Sequence, residues 1–299
     1  MTTPRHLVRK ASDLDLTVPP VFAGHSQGFT RWAAVDATGP SVHMGFGIAE
    51  LAPGGTIDWH LHDVEESFYV LSGEVVCETG EGVFLLREGD YGVFPVGAPH
   101  TWRNLGDQPA RWADMTAPQG RDGPVPDTFF VAARDSGRDA EPLDVRDPRT
   151  RSFGHIGAAN MDPAQQTQDK LALSASMRTA LLVYSGISVK MMVDSDLGAF
   201  LSTMFMVQYV PGGFAGAHDH PFEEAYLILE GVTDAVFDGV PYRLEVGDIA
   251  FAGVGSTHEF SNPGDGPVRW LETQAPQPPG RHSYRFARDW DYLEQQLDR

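Results

Sequence analysis

Short apolar runs broken by turn-forming residues recur along most of this chain. Phe68-Tyr69-Val70-Leu71 stops at Ser72-Gly73, Val75-Val76-Cys77 stops at Glu78-Thr79-Gly80, and Val83-Phe84-Leu85-Leu86 stops at Arg87-Glu88-Gly89-Asp90. Runs this short, rich in branched and aromatic residues and punctuated this often, predict an antiparallel β-sandwich or barrel. The second half repeats the pattern with Tyr226-Leu227-Ile228-Leu229 before Gly231, then Asp238-Gly239 and Gly247-Asp248. Asp238-Gly239 predicts a two-residue hairpin turn, because both positions of such a turn need a positive φ. Between the halves, residues 119–176 are rich in Pro, Asp, Arg and Gly and show no clear period, which predicts a connector with the edge strands of the second domain. Near the end, Phe286, Trp290, Leu293 and Leu297 fall on one helical face and predict a short C-terminal helix packed on its own domain.

The two halves match residue by residue. His60, His62, Glu66 and His100 recur 158 positions later as His218, His220, Glu224 and His258. Gly54-Gly55, Gly73, Gly89-Asp90, Asn104 and Ala117-Pro118 recur at the same offset as Gly212-Gly213, Gly231, Gly247-Asp248, Asn262 and Ala275-Pro276. Two copies of this length indicate a duplicated domain rather than a solenoid. The repeat places a first domain over residues 1–135, a connector over 136–175 and a second domain over 176–299.

Composition narrows the function classes. A chain of 299 residues is long enough for two domains with cores of their own. One cysteine, Cys77, leaves no internal disulfide, and the first twenty residues lack a basic-then-apolar signal pattern, so a cytoplasmic location is expected. No apolar run approaches the roughly 18 residues that span a bilayer. The net charge of −19 repels phosphate backbones and anionic lipid, which excludes nucleic acid and membranes as partners and leaves a small-molecule substrate.

Strand geometry explains why the repeated residues form a site. Side chains at i and i+2 share one face of a strand, so His60 and His62 converge if either points inward. A turn then returns Glu66 to them, and His100 arrives from a later strand. Three imidazoles and a carboxylate suit a divalent transition metal, one in each half and two per chain, from among Fe, Mn, Ni, Cu, Co and Zn. A metal that takes five or six ligands keeps open positions for substrate.

The stretches Gly54…His60-x-His62-x-x-x-Glu66…Gly73 and Gly89…Pro95-x-Gly97-x-x-His100-x-x-x-Asn104 resemble both signature motifs of the cupin superfamily. Their second copies, Gly212 through Gly231 and Gly247 through Asn262, depart at one place, Gly253, where the family usually has proline. A chain with two such domains resembles the bicupins, among them enzymes of the quercetin dioxygenase and ureidoglycine aminohydrolase kinds. The resemblance implies an all-β chain of two tandem antiparallel jelly-roll barrels, a divalent metal near the centre of each, and assembly as homo-oligomers.

Alternation from the ligands is expected to line the first pocket with Asp58, Phe68, Val70 and Trp102, and the second with Gly216, Tyr226, Ile228 and Phe260. Asp58 and Tyr226 are the candidate catalytic residues. Asp58 is expected either to move a proton on a metal-bound substrate or to orient His60 or His62. Tyr226 is expected to donate a proton or to pack. Asn104 and Asn262 are read as turn residues, and Glu65 and Glu223, of opposite parity to the ligands, as solvated. The leading expectation is a metal-dependent dioxygenase acting on a diketone, enol or phenol. A hydrolase or decarboxylase that needs no oxygen is the first alternative, and a non-catalytic small-molecule binding protein the second.

Overall fold

The computed structural model describes residues 4–120, 127–133, 137–162, 184–277 and 285–286. In chain order the strands are β1 (His6–Arg9), β2 (Ser26–Val35), β3 (Gly45–His62), β4 (Glu65–Ser72), β5 (Glu74–Thr79), β6 (Val83–Arg87) and β7 (Asp90–Phe94). There follow β8 (His100–Arg103), β9 (Ala110–Ala117), β10 (Thr128–Phe130), β11 (Glu141–Pro142), β12 (Phe153–His155), β13 (Tyr184–Val193) and β14 (Thr203–Asp219). The rest are β15 (Glu223–Glu230), β16 (Val232–Phe237), β17 (Val240–Glu245), β18 (Ile249–Ala252), β19 (His258–Ser261), β20 (Val268–Ala275) and β21 (Arg285–Phe286). Helix among the described residues is confined to four 3-10 turns. Phe286 lies in β21, and the remainder of the expected terminal helix, with Trp290, Leu293 and Leu297, lies outside the described residues.

The chain forms two compact units. One, Leu14–Gly157 with Met192–Thr203, is a curled sheet of order β11-β6-β5-β8-β3-β9-β4-β7-β12, to which β2 and β10 add by pairing with β3. The stretch expected to give a connector and edge strands of the second domain instead supplies edge strands to this first sheet: β11 joins β6 in parallel and β12 joins β7 antiparallel. The other unit, Met1–Asp13 with Ala158–Met191 and Met204–Arg299, is a curled sheet of order β1-β18-β15-β20-β14-β19-β16-β17, with β13 and β21 on β14. Its first strand comes from the very start of the sequence: His6 pairs with Ala252, and Arg9 with Ile249. Nothing in the periodicity of residues 6–9 assigns them to the second repeat, because pairing partners are not encoded locally.

Each sheet buries one face in a core of its own. In the first, Trp102 and Trp112 stack at 5.0 Å and Phe68 meets Trp102 edge-on at 5.1 Å. Their repeat partners do the same, with Phe260 on Trp270 at 5.1 Å and Tyr226 on Phe260 at 4.8 Å. Aromatic pairs at these separations add to their burial, so the duplication is one of packing as well as of ligands. The turn residues also match. Asn104 donates to the Leu51 and Gln108 carbonyls and accepts from Gly106 N, and Asn262 donates to Tyr209 and Gly266 and accepts from Gly264 N. Gly73 and Gly231, at φ +75° and +76°, pass so close to the Pro109 and Pro267 carbonyls that a Cβ would sit 2.5 Å from either oxygen. Glycine is required there on both counts.

Two ion pairs anchor this framework. Arg31 on β2 holds Asp114 on β9 through both carboxylate oxygens, Nε to Oδ2 at 2.8 Å and Nη2 to Oδ1 at 2.5 Å. Burial pulls the Arg31 guanidinium down, but Asp114 outweighs it and holds the pKa above its ordinary value. The second anchor is the Asp238-Gly239 turn between β16 and β17, where φ is +49° and +84° and Phe237 pairs with Val240, the two-residue hairpin expected. Asp238 takes Arg5, His6, Ser256 and the Thr257 N–H on its carboxylate. Burial pushes its pKa up, but those partners, His6 first, hold it below the usual range. A carboxyl with a lowered folded pKa stabilises the fold above its unfolded pKa, about 3.9, and loses that contribution as pH falls through the folded value. Urea unfolding at pH 6 and pH 3 is therefore expected to show a smaller acid loss for Asp238→Asn than for the wild type. Equal losses would remove Asp238 from the acid response.

Candidate metal centres

The long strand β3 delivers His60 and His62, and β8 delivers His100. Their ligand nitrogens all lie within 4.8 Å of one another, as do those of His218, His220 and His258 in the other unit. Glu66, which opens β4 with Glu65, completes the first group. Its Oε2 is 3.0 Å from His62 Nε2 and 3.5 Å from His100 Nε2. Glu224 does the same in the second group, 2.7 Å from His220 Nε2 and 3.3 Å from His258 Nε2.

The imidazoles are pinned from behind. Nδ1 of His60 donates to the Asp58 carbonyl at 2.7 Å, His100 to Ala98, His218 to Gly216, His220 to Phe222 and His258 to Ser256. A carbonyl can only accept, so each of these five rings carries its proton on Nδ1 and presents the Nε2 lone pair to the centre. His62 Nδ1 bonds Thr128 Oγ1 at 3.0 Å, which places β10 over the first centre. Burial, with the neighbouring His100 and His62, holds the His60 pKa well below normal, and burial with His258 brings His218 to about 3, so both stay neutral donors.

Both sets fit a metal by what they leave unsatisfied. Glu66 Oε2, His100 Nε2 and His258 Nε2 are buried and make no hydrogen bond. A buried polar atom without a partner costs about 1–3 kcal/mol, and a cation bound among these atoms removes that penalty. Each unit thus brings together three histidines able to hold a divalent metal, two sets per chain, with Glu66 or Glu224 against them.

The two centres differ in access and surroundings. Side chains of the first are partly open, with His62 and Glu66 each 11% exposed, whereas His220, Glu224 and His258 are 1%, 2% and 1% exposed. Phe22 meets His60 edge-on at 5.3 Å, Phe130 lies 6.0 Å from His60, and Phe94 stacks on His100 at 3.9 Å. In the second, Glu224 is held by Tyr226 OH on Oε2 and by Gln274 Nε2 on Oε1 at 2.5 Å. Behind it, burial and the Glu224 charge raise the Glu272 pKa well above normal, where the first unit places Asp114 against Arg31.

Among the pocket residues expected from alternation, Phe68, Val70, Trp102, Tyr226, Ile228 and Phe260 are buried in the cores. Tyr226 reaches the second centre through Glu224. Asp58 does not face the first: its side chain is 59% exposed and its carboxylate meets His25 Nδ1 at 3.2 Å. The pairing of β3 with β8 shifts register between Ile57 and His60, a bulge that breaks the two-residue alternation on which that expectation rested. What His60 meets at this position is the Asp58 backbone carbonyl and not its carboxylate. Glu65 and Glu223, expected in solvent, are buried at 1% and 0%. Thr128 and Gln274 escape a sequence reading because their roles arise from strand pairing and not from spacing.

The fold and its two centres define a duplicated metal-binding β-barrel protein. A profile of the cupin domain matches residues 47–116 and 205–273, and the chain belongs to the cupin superfamily as a bicupin. Over 111 residues it is 28% identical to polyketide synthase CurC of Streptomyces cyaneus, a match covering 37% of this chain and 62% of that relative's length. It is similar in structure to the formate complex of Lactobacillus farciminis oxalate decarboxylase, with TM-score 0.64, 17% identity, and 98% of this chain and 94% of that one covered. For oxalate decarboxylase from Bacillus subtilis at pH 4.6 the TM-score is 0.61 at 16% identity, covering 100% of this chain and 84% of that one. At such identities the likeness is one of fold. No helix among the described residues is long and apolar enough to cross a membrane.

Proposed function

We propose that this chain is a metal-dependent bicupin enzyme whose reacting centre is His60, His62, Glu66 and His100, and whose reaction is a non-redox cleavage of the decarboxylase type on a small chelating substrate. The carrying observation is the unequal access to the two centres, 11% exposure at His62 and Glu66 against 1–2% at their counterparts His220 and Glu224. A substrate needs an approach, and a sealed centre serves structure. The cation would supply Lewis-acid polarisation of a chelated carbonyl or carboxylate. The chain's own residues do the rest: the Asp58 and Ala98 carbonyls and Thr128 fix the imidazoles, and Phe22, Phe94 and Phe130 exclude water and pack the apolar part of the substrate. The neighbouring Arg31 is clamped by Asp114, so it offers no second charge to a dicarboxylate. That favours a substrate with one chelating end and an apolar remainder over oxalate itself. The fold shared with oxalate decarboxylases along the whole chain supports the choice of a decarboxylase-type reaction over an oxidation.

The aromatic wall and the polyketide relative favour a second reading, dioxygenation of a diketone or phenol. Carbon dioxide release and oxygen uptake, measured on metal-loaded protein with β-keto acids, phenolic acids, diketones and flavonols, separate the two. Release that persists without oxygen is the expected result. Uptake coupled to substrate loss would replace it with the dioxygenase, substrate loss with neither signal would point to a hydrolase, and no substrate loss at all would leave a binding protein.

A further inference from the structure

Glu65 is the buried acid that the centre does not use as a ligand. It stands at the head of β4, back to back with Glu66, and strand alternation sends the two carboxylates to opposite faces. Glu66 points to the imidazoles. Glu65, 1% exposed, accepts from three successive backbone N–H groups, Phe200 at 2.7 Å, Leu201 at 3.2 Å and Ser202 at 3.0 Å, and from Ser202 Oγ at 2.5 Å. All of these residues belong to one compact unit, although 135 to 137 positions separate them in sequence. Four donors on one buried carboxylate make charge-assisted hydrogen bonds, stronger than ordinary ones. They hold the first residue of β4 where only the Asp63-Val64 turn separates it from His62.

We propose that Glu65 is a positioning residue for the first metal centre: by gripping the backbone of Phe200 to Ser202 it fixes the aim of Glu66 at the metal. The proposal rests on Glu66 being a ligand and goes beyond it, because it makes a segment of the second half of the sequence part of the first centre's support. Outer partners of metal ligands are worth 10- to 100-fold in metal affinity. The same loss is expected for Glu65→Ala at the first centre, with a smaller loss for Ser202→Ala.

The test uses the full chain carrying His218→Ala and His220→Ala, so that Mn(II) titration and Mn(II) electron paramagnetic resonance report the first centre. In that background Glu65→Ala is expected to weaken Mn(II) roughly 10- to 100-fold and to change the zero-field splitting pattern. Glu65→Gln, which keeps one carbonyl acceptor, is expected to restore part of both. A parallel titration in the His60→Ala, His62→Ala background reads the second centre, which is expected to be unaffected. An unchanged affinity and spectrum at the first centre would overturn the proposal, and so would equal weakening at both centres. If Glu65→Ala does not fold, Glu65→Gln and Ser202→Ala carry the same comparison. Glu66→Gln serves as control: if it leaves Mn(II) bound as before, the ligand assignment fails instead.

Discussion

Replacing His60 and His62 together by alanine is expected to leave about one metal per chain where the wild type holds about two. The two removed rings supply half the donors of the first centre, and the remaining pair, His100 and Glu66, cannot enclose a cation. The second set lies in a separate compact unit with its own donors, so its metal stays. If the first centre is where substrate reacts, activity falls with that metal by roughly 100-fold or more, since a Lewis acid contributes several kcal/mol to a transition state. The mirror variant, His218→Ala with His220→Ala, is expected to lose the other metal and keep most activity. Elemental analysis beside a rate measurement on both variants reads the result. Two retained metals in the first variant would undo the ligand assignment, and an inactive mirror variant would undo the choice of reacting centre.

Asp114→Ala is expected to cost about 3–5 kcal/mol of stability, among the largest losses open to a substitution outside the centres. Asp114 is 4% exposed, and its loss leaves the Arg31 guanidinium between β2 and β9 without its charge partner. Exchanging the pair for apolar residues of similar size, Arg31→Met with Asp114→Leu, is expected to recover much of that cost, because neither charge then needs solvation. Urea denaturation of the two variants decides it. A loss under about 1 kcal/mol in Asp114→Ala would mean that water or a neighbour solvates Arg31 once its partner has gone.

The two histidine clusters were legible because a metal centre demands particular donors at particular spacings, and the spacing occurs twice. The β-barrels were legible for a related reason: runs such as Phe68 to Leu71 carry their own turn signals. Asp58 was misplaced because alternation holds only while a ladder stays in register, and the bulge between Ile57 and His60 leaves no mark in residue types. Glu65 was misplaced for the opposite reason. Its parity was read correctly as outward, but in this fold outward leads to Phe200 through Ser202, a contact that no local pattern announces. The edge strands β1, β11 and β12 share that difficulty, since two to four residues hold too little pattern to name a partner.

The pairing of His6 with Ala252 also bears on synthesis. A ribosome releases the β1 segment early, yet the strand it pairs with emerges some 240 residues later, so that segment waits unpaired through most of translation. Closing so long a loop costs only slightly more than closing one of half the length, about 0.6 kcal/mol per doubling. The burden is therefore on time and on exposure to wrong partners rather than on final stability. A gene split near residue 170 would give two fragments, each lacking a segment that its own barrel uses: β1 for the later fragment, Met192–Thr203 for the earlier one. Such fragments are expected to regain full order only when made together, which sets this chain apart from a pair of barrels joined end to end.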